Sequence, residues 1–224
     1  MINKKINILT IDTETCGLSD PVYDIGWQIH DRQGNVVSQY HALVKEIFTN
    51  GERMTRAHFA KKVFTDYAEM LDGQIIRLVP WHEIVETLRD HVKTYDATIV
   101  AAYNLGFDQR AIRLTSKLLG EGAIFQSPMK MLDLWQFACE TFLSSAAFKK
   151  LARNMEWISP AGNIRTNAEV AYKFLTGELD FIESHTALSD AKIETEIAAK
   201  CYSMKKKIPY GIINASPWRI VNNV

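Results

Sequence analysis

Four acidic residues and one histidine fall in three short segments that lie far apart in the chain. The first segment holds Asp12 and Glu14, the second holds Asp108, and the third holds His185 and Asp190. Carboxylate oxygens prefer hard cations such as Mg²⁺ or Mn²⁺ to zinc. Two such cations about 3.5–4 Å apart stabilise the attacking and leaving oxygens when a phosphodiester bond is hydrolysed. A histidine beside them, with an ordinary pKa of about 6.5, could accept a proton from the attacking water.

Asp12 and Glu14 are predicted at the end of a buried strand. Residues 6–14 (INILTIDTE) carry apolar side chains on both faces, which is typical of a central, covered strand. Residues i and i+2 of a strand point to the same face, so the two carboxylates lie side by side and repel each other unless a cation separates them. An Asp-x-Glu triplet also arises by chance, and alone this pair would be a weak signal.

Asp108 follows a second predicted buried strand, residues 97–103, and lies on a helix predicted from about Phe107 to Leu119 and ended by Gly120. Helical spacing puts it on one face with Ala111, Ile112, Thr115 and Leu119. The opposite, solvated face is predicted to carry Arg110, Arg113, Ser116 and Lys117. Carboxylates are rarely buried without a partner. The alternative is an aspartate that only complements the helix dipole.

His185 and Asp190 are five residues apart, which is roughly 140° around a helix. If both residues were helical, their side chains could not point at the same site. We expect His185 in the loop before a helix over 187–204, with Thr186 as its N-cap and Asp190 in the first turns. The face of Asp190 is predicted to carry Ile193, Ile197, Cys201 and Met204. A lone histidine is more often structural or exposed, and it is the agreement of the three segments that favours a metal site.

The elements that must position these residues form a mixed α/β pattern. Further strands are predicted at 24–31 and 35–44, joined by a turn at Gln33-Gly34, and at 129–133. Helices are predicted at 57–72, 81–93, 134–144 and 167–176, whereas the rest of 145–184 shows no clear pattern. Three antiparallel strands followed by alternating helices and parallel strands indicate a mixed sheet flanked by helices. We expect one domain over residues 1–204 and a tail, 205–224, that packs on the domain or on a partner.

The composition is that of a globular protein without net charge. Apolar residues make up 47% of the 224 residues, and 26 Lys and Arg balance 26 Asp and Glu. This balance argues against a protein that coats nucleic acid with a uniformly basic surface, but it allows an enzyme with a local basic rim. The three cysteines form no C-x-x-C pair, which favours reduced thiols. No apolar stretch approaches the roughly 18 residues of a membrane span. We expect a cytoplasmic protein with no membrane association.

The three segments together resemble the motifs of the DEDDh exonucleases, a family of the ribonuclease H-like superfamily. They read IDTET (11–15), YNLGFD (103–108) and HTALSDA (185–191), with histidine five residues before aspartate. Tyr103 stands where the family often has histidine. The resemblance spans about residues 6–200. It implies a ribonuclease H-like α/β fold and a metal-dependent 3′→5′ exonuclease that releases nucleoside 5′-monophosphates.

The resemblance also implies roles for single residues. Asp12, Glu14 and Asp190 would hold the cation that activates the water, and Asp12 would bridge to a second cation that Asp108 helps to position. His185 would accept the proton of the water, and the expected cofactors are two Mg²⁺ or Mn²⁺ ions. The backbone around Thr13 and the side chain of Glu14 would meet the terminal 3′-OH, and Leu18 would pack against the last base. Asn104 is a further implied substrate contact. For Leu18 the alternative is ordinary core packing.

Two segments, 45–75 and 145–180, depart from the family pattern. The first contains the basic residues Arg53, Arg56, Lys61 and Lys62. The second interleaves basic and aromatic residues, namely Phe148, Lys149, Lys150, Arg153, Trp157 and Arg165. Such a mixture could stack the bases and follow the phosphates of a single strand. We favour the alternative, which is a solvated helix face with its aromatic residues in the core.

Single-stranded DNA is the substrate that we expect. RNA is the main alternative, because the same residues would cut it and only the surroundings of the 2′-hydroxyl would distinguish the two. A non-catalytic nucleic-acid-binding module on this fold is a remoter alternative. Proofreading, which would need a polymerase partner in trans, fits this activity, as do repair, RNA end trimming and nucleotide scavenging by a phage. Both a monomer and a homodimer are compatible with the family.

Overall fold

A six-stranded mixed sheet forms the centre of the computed structural model, which describes residues 7–57, 60–61, 64–125, 129–205 and 207–223. The strands are β1 Asn7–Thr15, β2 Val22–His30, β3 Val36–Val44, β4 Leu78–Val79, β5 Ala97–Ala102 and β6 Lys130–Asp133. Their spatial order is β4-β3-β2-β1-β5-β6. The pairs β1–β2 and β2–β3 are antiparallel, and β3–β4, β1–β5 and β5–β6 are parallel. The predicted α/β class, a mixed sheet with three antiparallel strands, is confirmed.

Helices cover both faces of the sheet. In the described parts of the chain they are Lys45–Phe48, Gly51–Met54, Phe64–Asp72, Trp81–Thr94, Leu105–Leu119, Leu134–Cys139, Ala146–Asn154, Ala168–Thr176, Ala187–Met204 and Trp218–Asn222, with a 3-10 turn at Phe142–Ser144. The predicted helix over 134–144 is therefore interrupted. The hydroxyl of Thr141 donates to the carbonyl oxygen of Phe137 at 2.7 Å, and such side-chain bonds compete with the helical pattern of the backbone.

β1 is buried on both faces, as predicted. Ile8 packs in a cluster with Ile193 and Ile197 of the helix Ala187–Met204. Leu9 belongs to the cluster on the opposite face, where it packs with Ile112 of the helix Leu105–Leu119. Because strand side chains alternate, the even-numbered residues of β1 face one helix and the odd-numbered residues face the other. The end of β1 is thus the place where helices from the two faces meet.

The helix Ala187–Met204 begins in direct contact with β2. A Cβ atom at Gly26 would lie 2.3 Å from the backbone nitrogen of Leu188, so this approach requires glycine. Two residues earlier in the strand, the buried carboxylate of Asp24 accepts a hydrogen bond from the backbone N–H of Ala187 at 3.0 Å. The same carboxylate also bonds the side chains of His41 and Tyr67. Asp24 and the glycine therefore fix where this helix starts.

The C-terminal segment contacts the rest of the protein at several points. The backbone N–H of Gly211 donates to the carbonyl oxygen of Met131 at 2.8 Å, and the N–H of Ile164 donates to the side-chain oxygen of Asn222 at 2.8 Å. The division of the chain into residues 1–204 and 205–224 stays a prediction.

Two side chains differ from the predicted helix faces. Ser116 was placed on a solvated face but is buried, because the indole of Trp81 packs there and donates to its hydroxyl at 3.2 Å. Met204 was placed on a buried stripe but is 51% exposed, since it is the last residue of its helix. All three cysteines are free and buried, in agreement with reduced thiols. None of the described helices is long and apolar enough to span a bilayer.

Candidate active site

The end of β1 opens into a cleft of about 540 Å³. Every residue predicted for catalysis, metal binding or substrate contact lines this cleft, namely Asp12, Thr13, Glu14, Leu18, Asn104, Asp108, His185 and Asp190. They come from three distant segments that the sheet brings together, because β1 pairs with β5 and the helix Ala187–Met204 packs on β1 and β2. The cleft thus unites the three sequence motifs.

One side of the cleft has the arrangement of a metal site. Ligand atoms of Glu14, His185 and Asp190 all lie within 4.8 Å of one another. One carboxylate oxygen of Asp190 is buried without a hydrogen-bond partner among the described residues, and one oxygen of Glu194 is in the same situation. Buried oxygens of this kind are costly unless something positive binds them. Oxygen donors with one imidazole fit a divalent cation.

Asp108 is held on the opposite side of the cleft. It is only 2% exposed, as its place on the inner face of the helix Leu105–Leu119 predicts. The hydroxyl of Thr13 donates to its Oδ1 at 2.8 Å, so one residue of β1 orients a carboxylate that belongs to a helix. Thr13 was predicted to contact substrate through its backbone. Its side chain instead supports Asp108, and the backbone contact stays a prediction.

The carboxylates of the cleft raise one another's pKa values. Burial, followed by repulsion from Glu194 and Asp108, raises the pKa of Asp12 well above its ordinary range. Burial is also the main reason that the pKa of Asp190 is raised to about 9, with a contribution from the charge of Glu14. The pKa of Asp108 is raised to about 7, again mainly by burial. Burial is the largest cause of all three shifts, and repulsion among the cleft acids adds to those of Asp12 and Asp190, so a cation that compensates their charge would favour the ionised forms.

His185 stands outside its helix, as the five-residue spacing requires. It has a φ angle of 57°, which is uncommon for a residue other than glycine, and the helix begins at Ala187. Thr186 occupies the predicted N-cap position, but its hydroxyl donates to the side chain of Ser189 at 2.9 Å and caps no backbone N–H. Asn104, at the start of the other helix, also has a left-handed φ, of 71°. Strained backbone of this kind is often found at functional sites.

Two acids of the cleft were not among the predicted site residues. Glu194 is 2% exposed and lies one helical turn after Asp190, so the same i+4 spacing that defined the buried face could have identified it. Its pKa is raised well above the ordinary range by burial, followed by repulsion from Asp108. Glu183 also lines the cleft, and burial raises its pKa to about 7. It lies outside any regular element, so no periodicity marks it.

Residues outside the motifs have mixed outcomes. Leu18 is 87% exposed at the rim, so core packing, the alternative for this residue, is wrong, and its contact with a base stays a prediction. Phe148 is fully buried, in agreement with the aromatic core that we favoured for 145–180. Arg165 is exposed and lines a second cavity. Lys62 lies outside the described residues.

Comparisons with known proteins found similarity to solved structures but none to known families or curated sequences. No protein-family model matches the sequence, and no curated protein matches it. One similar solved structure is exonuclease X in complex with 5′-overhanging duplex DNA, with 17% identity over 88% of this chain and 91% of that chain and a TM-score of 0.44.

A second similar structure is the zinc-bound E. coli ExoI–ssDNA complex. It has 15% identity and a TM-score of 0.52, and the match covers 88% of this chain but only 40% of the ExoI chain. At this identity the likeness concerns the fold. The chain therefore has the ribonuclease H-like α/β fold, as the motifs predicted, and shares it with the exonuclease ExoI.

Proposed function

We propose that this protein is a metal-dependent 3′→5′ exonuclease of the DEDDh type that acts on single-stranded DNA. The observation that carries the proposal is the convergence of His185 and the acids of three distant motifs on one cleft, where buried carboxylate oxygens have no partner among the described residues. A structural core would pair or exclude such groups. A site that binds divalent cations and a phosphodiester requires them.

We expect the carboxylates of the cleft to bind two cations, Mg²⁺ or Mn²⁺; the close ligand atoms of Glu14, His185 and Asp190 support the binding of a metal ion there. Asp12, Glu14 and Asp190 would hold one of them, and Asp12 with Asp108 would hold the other. When bound, the cations would stabilise negative charge on the attacking and leaving oxygens. Thr13 contributes by fixing the carboxylate of Asp108 through its hydroxyl.

His185 would accept the proton of the attacking water. Its imidazole shares the cleft with Glu14 and Asp190, and its backbone holds it outside the helix. The rim residue Leu18 and the backbone of Thr13 would hold the terminal nucleotide, and Asn104 would contact the strand from the opposite wall. These roles would produce nucleoside 5′-monophosphates, one at a time, from a free 3′ end.

The first experiment is a nuclease assay with a 5′-labelled single strand. With Mg²⁺ or Mn²⁺ the purified protein should release mononucleotides, and EDTA should stop the reaction. Asp12→Ala should abolish it, whereas Asp90→Asn, which changes an exposed carboxylate on the helix Trp81–Thr94, should retain it. A substrate that stays intact with both metals across a range of pH would refute the enzyme proposal.

The role of His185 is tested separately. Loss of a general base commonly lowers turnover about 10²- to 10⁴-fold. His185→Ala should therefore lower kcat by a factor in this range while Mn²⁺ still binds, as measured by isothermal titration calorimetry. If the variant no longer binds Mn²⁺, His185 is a metal ligand and the base must be sought elsewhere.

DNA is the first substrate to test, because the ExoI structure with the same fold holds single-stranded DNA. DNA and RNA oligonucleotides of equal sequence, assayed side by side, distinguish this proposal from a 3′→5′ exoribonuclease. We also propose that residues 1–204 form the exonuclease domain. Any proofreading role would need a polymerase partner in trans. Measurement of the molecular mass in solution will distinguish a monomer from a homodimer.

A further inference from the structure

A second cavity, of about 620 Å³, adjoins the acidic cleft. Tyr103 and Asn104 line both spaces and form the wall between them. Its volume lies within the range of ordinary ligand pockets, which is roughly 300–1,000 Å³. The other residues that line it are Trp135, Ser159, Asn163, Ile164, Arg165, Thr166, Asn167 and Trp218. Apart from Tyr103 and Asn104, these residues lie outside the three sequence motifs.

The chemistry of the second cavity is the opposite of that of the cleft. No acidic residue lines it, and its charged side chain is that of Arg165. In the described part of the chain no carboxylate forms an ion pair with this arginine. Two tryptophans, one tyrosine and three asparagine amides supply flat apolar faces and hydrogen-bonding groups. A ligand that suits this lining has a phosphate and an aromatic ring with polar edges.

The walls of the cavity are held in place by hydrogen bonds and ring contacts, and the guanidinium of Arg219 lies over the Trp218 ring, 5.5 Å from its centroid. The rings of Tyr103 and Trp135 are nearly parallel, at 23°, with centroids 6.4 Å apart. The Tyr103 hydroxyl donates to the backbone oxygen of Thr166, and the Trp135 indole donates to the hydroxyl of the same threonine at 2.8 Å. Asn222, in the helix of Trp218, bonds the backbone of Ile164 in both directions. The C-terminal helix thus fixes the position of one aromatic wall.

We infer that this cavity binds a nucleotide of the substrate strand on the 5′ side of the bond that is cut. The inference rests on the proposed function, because it takes the terminal nucleotide to lie in the acidic cleft. In a 3′→5′ exonuclease the rest of the strand must leave the cleft on the 5′ side, and Tyr103 and Asn104, which line the cleft, also line this cavity. A base would stack on the aromatic rings, and Arg165 would contact a backbone phosphate.

The experiment compares two substrates that differ only in the 5′ direction. The p-nitrophenyl ester of thymidine 5′-monophosphate has no further nucleotide, whereas a ten-nucleotide single strand extends beyond the cleft. The readout is the ratio of kcat/KM for the strand to kcat/KM for the ester, measured with Mn²⁺ for the wild type, Arg165→Ala, Trp218→Ala and Trp218→Phe. A base stacked on an aromatic side chain is worth about 5- to 150-fold in binding.

Trp218→Ala should therefore lower the ratio by about 5- to 150-fold. Trp218→Phe should restore most of it, because the ring face is kept. Arg165→Ala should also lower the ratio. For the strand, the slope of log KM against the logarithm of the salt concentration should fall by about one, because one phosphate contact is lost. Arg113→Ala is the matched control. It removes an exposed arginine that lines a different cavity, and its ratio should equal that of the wild type.

The outcomes separate the two proposals. If neither substrate is hydrolysed by the wild type, the exonuclease proposal fails. If both are hydrolysed but Arg165→Ala has the ratio and salt dependence of Arg113→Ala, the cavity does not bind the strand and the inference is wrong. Arg165 is exposed, so this variant decides the question even if Trp218→Ala fails to fold.

Discussion

Replacing Asp108 by asparagine should stabilise the metal-free protein at neutral and alkaline pH. Burial raises the pKa of Asp108 from its ordinary 3.8 to about 7, so the folded state resists ionisation of this group. A group with a raised pKa contributes stability that is fully present below the unfolded pKa and is lost as the pH rises through the folded pKa. A shift of about three units corresponds to about 4 kcal/mol above pH 7. Asparagine never ionises, and its side-chain oxygen can still accept the hydrogen bond of Thr13.

The measurement is thermal unfolding in EDTA between pH 4 and pH 8, followed by circular dichroism. Asp108→Asn and the wild type should melt at similar temperatures near pH 4. The difference should grow up to pH 7, to roughly 8–16 °C for the full 4 kcal/mol in a chain of this size. Asp90→Asn, on an exposed carboxylate, should show no such growth. If Asp108→Asn is no more stable than the wild type at pH 8, the buried acid is not destabilising and the reasoning from burial is wrong.

Three further variants test single features of the cleft. Glu194→Gln should raise the melting temperature in EDTA at pH 8, because one buried acid is removed. Mn²⁺ should then raise the melting temperature less than it does in the wild type, because the site has lost one negative charge. An unchanged response to Mn²⁺ would show that Glu194 does not interact with the cations. Gly26→Ala should lower the free energy of unfolding, measured with urea, by about 1–3 kcal/mol or more, because its Cβ would lie 2.3 Å from a backbone nitrogen. Gly122→Ala, with no atom within 4 Å of the new Cβ, is its control and should be neutral. Thr13→Val should lower kcat about tenfold with little change in KM, because Asp108 loses a hydrogen bond to a charged group; equal kcat values would show that the bond has no catalytic role.

The site could be predicted from the sequence because its signals are local. Asp12 and Glu14 alternate within one strand, and Asp108 and Asp190 each fall on the inner face of a helix whose period is visible. The same periodicity predicted the helix 187–204 and the position of His185 before it. Each of these patterns can be recognised within about ten consecutive residues. Tertiary packing left the predicted strand and helix positions of these residues unchanged.

Other features depend on residues that are distant in the sequence. β4 has only two residues, Leu78 and Val79, which is too short to show an alternation, and it exists because β3 pairs with it. The helix Ala146–Asn154 is different, because it has a local signal: Ser145 accepts a hydrogen bond from the backbone of Phe148 as an N-cap.

The role of Asp24 lies beyond any local pattern. It is an acid within a strand, and its importance comes from the N–H of Ala187, which is 163 residues away in the chain. No periodicity within β2 marks it as different from other buried polar residues. Hydrogen bonds between distant residues, such as that of Asp24 with Ala187, determine how closely the helix that carries Asp190 approaches β1. They can be identified only once the three-dimensional structure is known.

The concentration of acids in the cleft argues against a non-catalytic module on this fold. The chain as a whole is neutral, with 26 basic and 26 acidic residues, so the excess of carboxylates at the end of β1 does not follow from its composition. Burial raises the pKa values of Asp12, Asp108, Asp190 and Glu194, and repulsion among the cleft acids adds to the shifts of Asp12, Asp190 and Glu194. At neutral pH the unfolded chain ionises these groups freely whereas the folded, metal-free protein resists their ionisation, so each of them opposes folding. A module with no need for cations would be more stable with neutral residues at these positions. Mn²⁺ should consequently raise the melting temperature of the wild type more at pH 8 than at pH 5, and a metal response independent of pH would contradict a site built from these acids.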